Sequence, residues 1–323
     1  MTAITRRVAI AGATLAPFAI ARAQGNWPDK PVRLVVPFTP GGSTDILARA
    51  MGQRLGEIFS QPFIVDNRPG AGGTLGSEQV FRAAPDGHTL MMGHIGTLAC
   101  NPALYPNLPF DTARFVPVAL VANVANFLVV TNGLAARDVP SLIALAKSKP
   151  GELTYGSGGN GSAAHIAMVA FNEATGTEMT HVPYRGTGPM MTDLIAGTIN
   201  LTMTGGPPAL PPVRAGQLRA LGISSLERLP SASDIPTIDS QGVRGFNALQ
   251  WYGIVAPPNT PAPLVARLNE ACNRILGEAA FAGRLETEGA VAQPMSPAGF
   301  GAFIARERDF WGTLIRRNNV SLG

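Results

Sequence analysis

Two glycine-rich stretches near the start of the chain have the composition of anion-binding turns. Residues 37–45 read Pro-Phe-Thr-Pro-Gly-Gly-Ser-Thr-Asp, and residues 66–74 read Asp-Asn-Arg-Pro-Gly-Ala-Gly-Gly-Thr. Each follows a strand-like run and precedes a helix-like run. A helix start leaves backbone N–H groups without intrahelical partners, and such groups bind anions. In the first stretch Gly41 and Gly42 let the backbone approach a ligand, while Ser43 and Thr44 add hydroxyl donors. A carboxylate there gains charge-assisted hydrogen bonds. The plain alternative is a βα turn capped by Thr44. Asp45 would repel an anion, so it reads as a first-turn residue that ties down loop N–H groups. In the second stretch Gly70, Gly72 and Gly73 leave N–H groups open before a helix at Leu75. Arg68 reads as loop support, with anion pairing as the alternative.

A third stretch, residues 156–161, is Gly-Ser-Gly-Gly-Asn-Gly and matches the dinucleotide spacing G-x-G-x-x-G. Glu173 and Glu178 lie near the offset of a ribose-binding acid. In an exported chain the preferred reading differs: Ser157, Asn160 and Ser162 offer donors to the far end of a ligand. His165, one turn on, is a further candidate, with a purely structural histidine as the competing reading. Thr204 and Gly205 end another strand and are expected to line the same cleft. Catalytic patterns are poor. There is no G-x-S-x-G elbow, no H-E-x-x-H site and no Walker A loop. His88, His94, His165 and His181 have no ligand spacing, and two cysteines make no zinc site. No catalytic residue, metal or cofactor is therefore assigned. A Ser-His-Asp set assembled across the fold stays open.

The elements that must position these turns alternate. Residues 32–36, 63–65 and 89–92 read as strands, and 45–59 and 75–84 as helices, which implies parallel βαβ units. The rhythm restarts near 126, with strands at 127–130, 153–155, 180–182, 199–204 and 218–223. Helices fall at 141–148, with Ser141 as N-cap, and at 162–174 and 189–196. After a strand at 251–255 come helices at 261–277, 281–288 and 296–318. The last places Phe300, Phe303, Ile304, Phe310, Trp311 and Leu314 on one apolar face. These helices are expected to pack back on the first unit. Domain one is then residues 24–125 plus 253–323, domain two is 126–252, and two crossings form a hinge.

Residues 1–23 read as a secretory signal. Arg6 and Arg7 precede an apolar run over 8–20 and a small-x-small site, Ala21-Arg22-Ala23. Cleavage after Ala23 leaves a mature chain starting at Gln24. The choice between general and twin-arginine export stays open. Without Arg6, Arg7 and Arg22 the formal charge falls from +4 to +1. No basic run resembles a nucleic-acid footprint, and no second apolar run is long enough to span a membrane. A hydrophobic fraction of 46% is ample for two cores. In an oxidising compartment Cys100 and Cys272 could pair, but two buried free thiols are the preferred reading.

In this order the motifs make the chain recognisable. They are Trp27-Pro28-Asp29-Lys30-Pro31-Val32-Arg33, the two glycine turns, Pro85-Asp86-Gly87-His88-Thr89-Leu90 and His181-Val182-Pro183-Tyr184-Arg185-Gly186. Ala215-Gly216-Gln217-Leu218-Arg219-Ala220-Leu221 and Trp251-Tyr252-Gly253 follow. The chain resembles, over its whole mature length, the Bug family of periplasmic solute-binding proteins, receptors of tripartite tricarboxylate transporters. The resemblance implies an α/β two-domain periplasmic binding protein of the type II, flytrap kind, closing on a small organic acid. One carboxylate is expected at Gly42, Ser43, Thr44, Ala71, Gly72 and Gly73, with Phe38 flanking it. Ser157, Ser162, His165 and Thr204 are the expected selectivity residues of domain two. Three positions depart from the family: Thr39 for a common proline, His88 for a common tyrosine, and Thr204 for a frequent Asp. Loss of that acid favours a plain carboxylic acid over an ammonium-bearing ligand. A monomer that delivers its ligand to the membrane subunits of a transporter is expected. The competing readings are a secreted enzyme using the glycine turns for a cofactor or phosphate, and a sensor that presents its ligand to a membrane kinase.

Overall fold

The computed structural model describes residues 27–318 and 320, apart from 288. The expected signal, its cleavage site and Gln24 lie outside the described residues. From Val32 the chain alternates as the apolar runs suggest. It forms β1 (Val32–Val36), α1 (Ser43–Phe59), β2 (Phe63–Asn67), α2 (Thr74–Phe81) and β3 (Thr89–His94). A π-helical turn, Gly96–Cys100, leads into a single helical turn, α3 (Asn101–Leu104), and then β4 (Val116–Val124). A second unit follows: β5 (Asn126–Thr131), α4 (Val139–Ser148), β6 (Thr154–Ser157), α5 (Ala163–Thr175) and β7 (Thr180–Pro183). It continues with α6 (Thr187–Ala196), β8 (Leu201–Gly205), α7 (Gly206–Arg214) and β9 (Leu218–Ile223). The chain then returns through β10 (Gln250–Ala256), α8 (Ala262–Leu276), α9 (Ala279–Thr287), β11 (Ala290–Ala292) and α10 (Pro297–Arg317).

Two separate sheets result. The first has six strands in the order β11-β4-β10-β3-β1-β2, the second five in the order β7-β6-β8-β5-β9. The βαβ segments pair in parallel, β1 with β2 and β3, and β6 with β7 and β8. The strands at the crossings do not: β10 runs antiparallel to β3 and β4, and β5 antiparallel to β8 and β9. Both sheets are therefore mixed. β10 starts at Gln250, opposite Val124 of β4, so residues 250–252 pair in the first sheet. β1 is buried at Val32, Leu34, Val35 and Val36, as a central strand covered on both faces must be. α1 and α8 pack on each other over this sheet, and α10 packs on β4 and the π turn. Glu307 of α10 accepts from the indoles of Trp251 (2.8 Å) and Trp311 (2.9 Å), tying α10 to β10.

Several local expectations shift. The N-cap of α4 is Asp138, not Ser141; Ser141 sits at N3 and completes a capping box. On α10, Phe310 is 58% exposed, whereas Phe300, Ile304, Trp311, Leu314 and Ile315 are buried. α7 occupies a stretch with Pro207, Pro208, Pro211 and Pro212. The first two fall in the opening turn, where the missing N–H has no partner in any case. Cys100 and Cys272 are both buried and free.

The two crossings meet in one buried polar network. A single residue, Ala125, separates β4 from β5. Next to it, the Asn126 backbone N–H donates to Ser224 Oγ (2.9 Å) and its amide to the Ala248 carbonyl (2.6 Å). Ser224 Oγ also donates to Ala248 (2.9 Å). The Gln250 amide donates to Asn126 Oδ1, and the Tyr252 hydroxyl donates to Gln250 Oε1.

Candidate ligand-binding site

The ends of β1 and β3 and the starts of α1, α5 and α6 surround a cavity of about 40 Å³ between the two units. The first unit contributes Phe38, Thr39, Gly42, Ser43, Thr44 and His94, with Gln250 and Tyr252 from β10. The second contributes Gly158, Ser162, Ala163, Ala164, Thr187 and Thr204. Gly42, the N-cap of α1, supplies no side-chain cap, so first-turn N–H groups remain available. α5 starts opposite, with Ser162 as N-cap and Ala163 and Ala164 as its first helical residues. Two helix starts from different units thus open on one space, and their dipoles favour negative charge there.

Asp45 lies behind the loop rather than in the cavity. It accepts from the Gly41 N–H (3.1 Å), pairs with Arg49 (2.9 Å) and accepts from the Asn67 amide (3.0 Å). Burial raises its pKa, but the Arg49, Gly41 and Asn67 contacts outweigh that and hold it below the usual carboxylate value. Asn67 also donates to the Phe38 carbonyl (3.1 Å). One carboxylate and one amide therefore pin both ends of the 38–41 turn.

His94 closes the cavity floor. Its ring stacks on Phe38, with centroids 4.4 Å apart. Its Nδ1 accepts from the Gly96 (2.7 Å) and Thr97 (3.3 Å) N–H groups, which leaves the proton on Nε2. Burial lowers its pKa to about 4, so the imidazole is a neutral donor at neutral pH. Thr39 Oγ1 is buried with no hydrogen-bond partner among the described residues.

The second glycine turn lines an adjoining, larger cavity of about 410 Å³. Its walls are Phe38, Thr39, Pro69, Gly70, Ala71, Gly72, Gly73, Gly158, Gly159, Tyr184 and Arg185. Ala71, Gly72 and Gly73 all take positive φ, at 46°, 60° and 88°. Such a run is costly for side chains, which suits two glycines in three residues. Asn101 donates to the Gly72 carbonyl (3.0 Å) and fixes the turn from below. Arg68 pairs with Asp66 and so supports the loop.

Of the residues singled out by sequence, Phe38, Gly42, Ser43, Thr44, Ser162 and Thr204 lie together in the first cavity. Ala71, Gly72 and Gly73 lie in the second. Gly205 is the N-cap of α7, and a Cβ there would come 2.6 Å from Ser43 Oγ. Ser157 and His165 stand behind the wall. Ser157 Oγ bonds His181 Nε2 (2.6 Å), and His165 stacks on His181 at 3.9 Å while its Nδ1 accepts from Gly161 (3.1 Å). These two shape the 156–161 turn rather than face the cavity. Sequence reading missed His94, Thr187, Gln250, Tyr252, Ala163 and Ala164. His94 ends β3 on the same sheet edge as the glycine turns, where open α/β sheets bind ligands, so its position was the available signal.

The units touch where side chains are absent. A Cβ on Gly72 would come 2.6 Å from the Asn160 carbonyl, and one on Gly96 2.5 Å from that of Gly161. A Cβ on Gly42 would reach Thr187 Oγ1 at 3.3 Å.

Comparison with known proteins places the fold in a family. The sequence profile described as "Tripartite tricarboxylate transporter family receptor" matches residues 47–320. Protein BugT of Bordetella pertussis is 33% identical over 323 residues, covering 99% of each chain. The structure of R. palustris Rpa4515 with adipate superposes with a TM-score of 0.89 at 36% identity, covering 92% of this chain and 100% of that one. MatC (Rpa3494) from Rhodopseudomonas palustris with bound malate gives 0.84 at 33% identity, covering 90% and 100%. The chain belongs to the receptor family of the tripartite tricarboxylate transporters, a family of periplasmic solute-binding proteins.

Proposed function

We propose that this receptor captures a small organic carboxylate between its two units and delivers it to the membrane subunits of a tripartite transporter. The observation that carries the reading is the pair of helix starts, α1 and α5, that open on one cavity from opposite sides. A carboxylate there accepts from backbone N–H groups, from Ser43, Thr44 and Thr39 hydroxyls, and from the neutral His94 ring. Among the described residues no acidic side chain lines either cavity, which favours a plain carboxylic acid over one bearing an ammonium group. The relatives solved with adipate and malate support the ligand class.

Binding proceeds without turnover in this reading. His94 Nδ1 already accepts two N–H groups and is no free base. The two units are domains that part to admit the ligand, because the closed cavity is small and bounded by tight contacts. The receptor acts as a periplasmic monomer, processed after Ala23. A thermal-shift screen of the purified mature chain against organic acids, amino acids, sugars and nucleotides tests the proposal. At 100 times its Kd a ligand stabilises by roughly 2.7 kcal/mol. The expected result is that carboxylic acids raise Tm; a screen in which only a nucleotide or sugar does so overturns it.

A further inference from the structure

A buried file of hydrogen bonds runs from the cavity wall to the chain crossings, and its donors all point the same way. The Tyr252 hydroxyl donates to Gln250 Oε1, the Gln250 amide to Asn126 Oδ1, and the Asn126 amide to the Ala248 carbonyl (2.6 Å). At the cavity end Ser43 donates to the Tyr252 hydroxyl, whose own proton is spent on Gln250. Burial raises the Tyr252 pKa and the Ser43 hydrogen bond offsets only part of that, so the phenol keeps its proton. Ser43, Tyr252, Gln250 and Asn126 are all buried. The file also passes from one unit to the other. Gln250 pairs with Val124 in the first sheet, whereas Asn126 pairs with Gly205 in the second. A Cβ on Gly205 would come 2.6 Å from Ser43 Oγ and 3.2 Å from the Gln250 amide nitrogen, so the second unit bears directly on the file.

We propose that Tyr252 and Gln250 are positioning residues that carry the direction of the Ser43 hydrogen bond to the Asn126 crossing, so that an anion in the cavity resets the joint between the units. The proposal rests on the carboxylate reading of the first cavity. Ser43 has one proton, and a carboxylate competes for it with the phenol; the charge-assisted bond is the stronger. Once Ser43 turns to the carboxylate, its Oγ offers lone pairs to Tyr252, and the phenol O–H turns from Gln250 Oε1 to Ser43. Gln250 Oε1 then lacks its donor. A buried acceptor without a donor is costly, so the Gln250 and Asn126 side chains rearrange. They do so beside Ala125, the single residue between β4 and β5, and the units settle into the closed arrangement that the ligand favours. The Tyr252 hydroxyl is thus an element with two positions that both ends of the file bias, which is what coupling between them requires.

The test is calorimetric titration of the mature chain. Acetate, succinate, glutarate and citrate are screened, and the tightest binder is used throughout. Asn126 lines neither cavity, so a merely structural role for it would leave Kd unchanged in a folded variant. Asn126→Ala is expected to weaken binding by roughly threefold or more in the wild-type background. The same change is expected to leave Kd alone in the Ser43→Ala and Tyr252→Phe backgrounds, where the file is already cut. Asn126→Ser, too short to span Gln250 and Ala248, replaces Asn126→Ala should the latter not fold. An unchanged Kd on replacing Asn126, or the same weakening in all three backgrounds, overturns the inference and leaves the carboxylate site standing. Absence of binding to every acid overturns the underlying reading as well.

Discussion

Asp45 braces the loop of the proposed anion site without entering the cavity. Its oxygens are taken up by Arg49, Asn67 and the Gly41 N–H, so its charge braces the loop. That much was foreseeable from a first-turn acid beside two glycines. Gly42 is the residue whose replacement separates binding from folding. Its φ of −86° suits any residue, and glycine caps a helix nearly as well as its better competitors. A branched side chain at 42 would instead press on Thr187 across the cleft. Gly42→Val is expected to keep a Tm within a few degrees of wild type and to lose at least tenfold in affinity, read by calorimetry. Unchanged affinity in a folded variant would contradict the role given to the α1 start. The histidines set the pH dependence. Burial lowers His94 and His181 to about 4, and burial with the neighbouring His181 lowers His165 to about 3. Unfolded, each protonates near 6.5, so between those limits the unfolded chain binds more protons. Their contribution to stability is complete above about 6.5 and is lost as pH falls towards 4. Tm is expected to drop across that window, and less steeply in a His165→Gln, His181→Gln double variant. The glycine turns that line the two cavities stood out in the sequence by their composition. His94 did not, since a lone histidine at a strand end looks the same whether it floors a cavity or fills a core. Ser157 and His165 lie outside the cavity lining because Ser157 Oγ is engaged with His181 and the Gly159 carbonyl and His165 Nδ1 with the Gly161 N–H, a fact of packing and not of spacing.

At the scale of elements, the crossings matter most. Asn126, Ser224, Ala248 and Gln250 bind the outgoing and returning chain into one buried cluster that continues to Tyr252 on the cavity wall. Asn126→Ala removes the acceptor of the buried Gln250 amide and leaves the Ala248 carbonyl with Ser224 Oγ as its remaining side-chain donor. Stability should fall by about 1–3 kcal/mol in chemical denaturation, the cost of stranding buried polar groups. A loss within a few tenths would show that the cluster is slack. The short βαβ repeats were legible because apolar runs of four or five residues between turns suit buried parallel strands. β4 was not, since its apolar run includes Pro117 and it closes no βαβ unit. α7 was hidden by its four prolines: Pro207 and Pro208 fall in the opening turn, which tolerates them, but Pro211 and Pro212 lie inside the helix. The antiparallel placement of β10 and β5 follows from the chain leaving and re-joining a sheet, which local periodicity does not encode.

For the molecule as a whole, the proposed functional unit is the cavity between the two sheets, which share one hydrophobic cluster reaching from Val35 and Met91 to Leu128 and Met203 besides a cluster of each one's own. Its glycine contacts hold the units together only while nothing larger stands between them. Ligand affinity for the closed form alone can shift the population towards it. Small-angle scattering should therefore report a modest shrinkage when the preferred acid is added, whereas an unchanged profile would retain binding and reject closure. The two-unit plan was legible in the restart of the strand–helix rhythm near residue 126; the way the two sheets face each other was not. The central claim, that negative charge is what the facing helix starts recognise, is tested most directly by one calorimetric comparison. The acid that gives the largest thermal shift is titrated into the mature chain beside its neutral amide, equal in size and shape. The account predicts saturable binding of the acid and at least a hundredfold weaker binding of the amide. Equal affinities would contradict it.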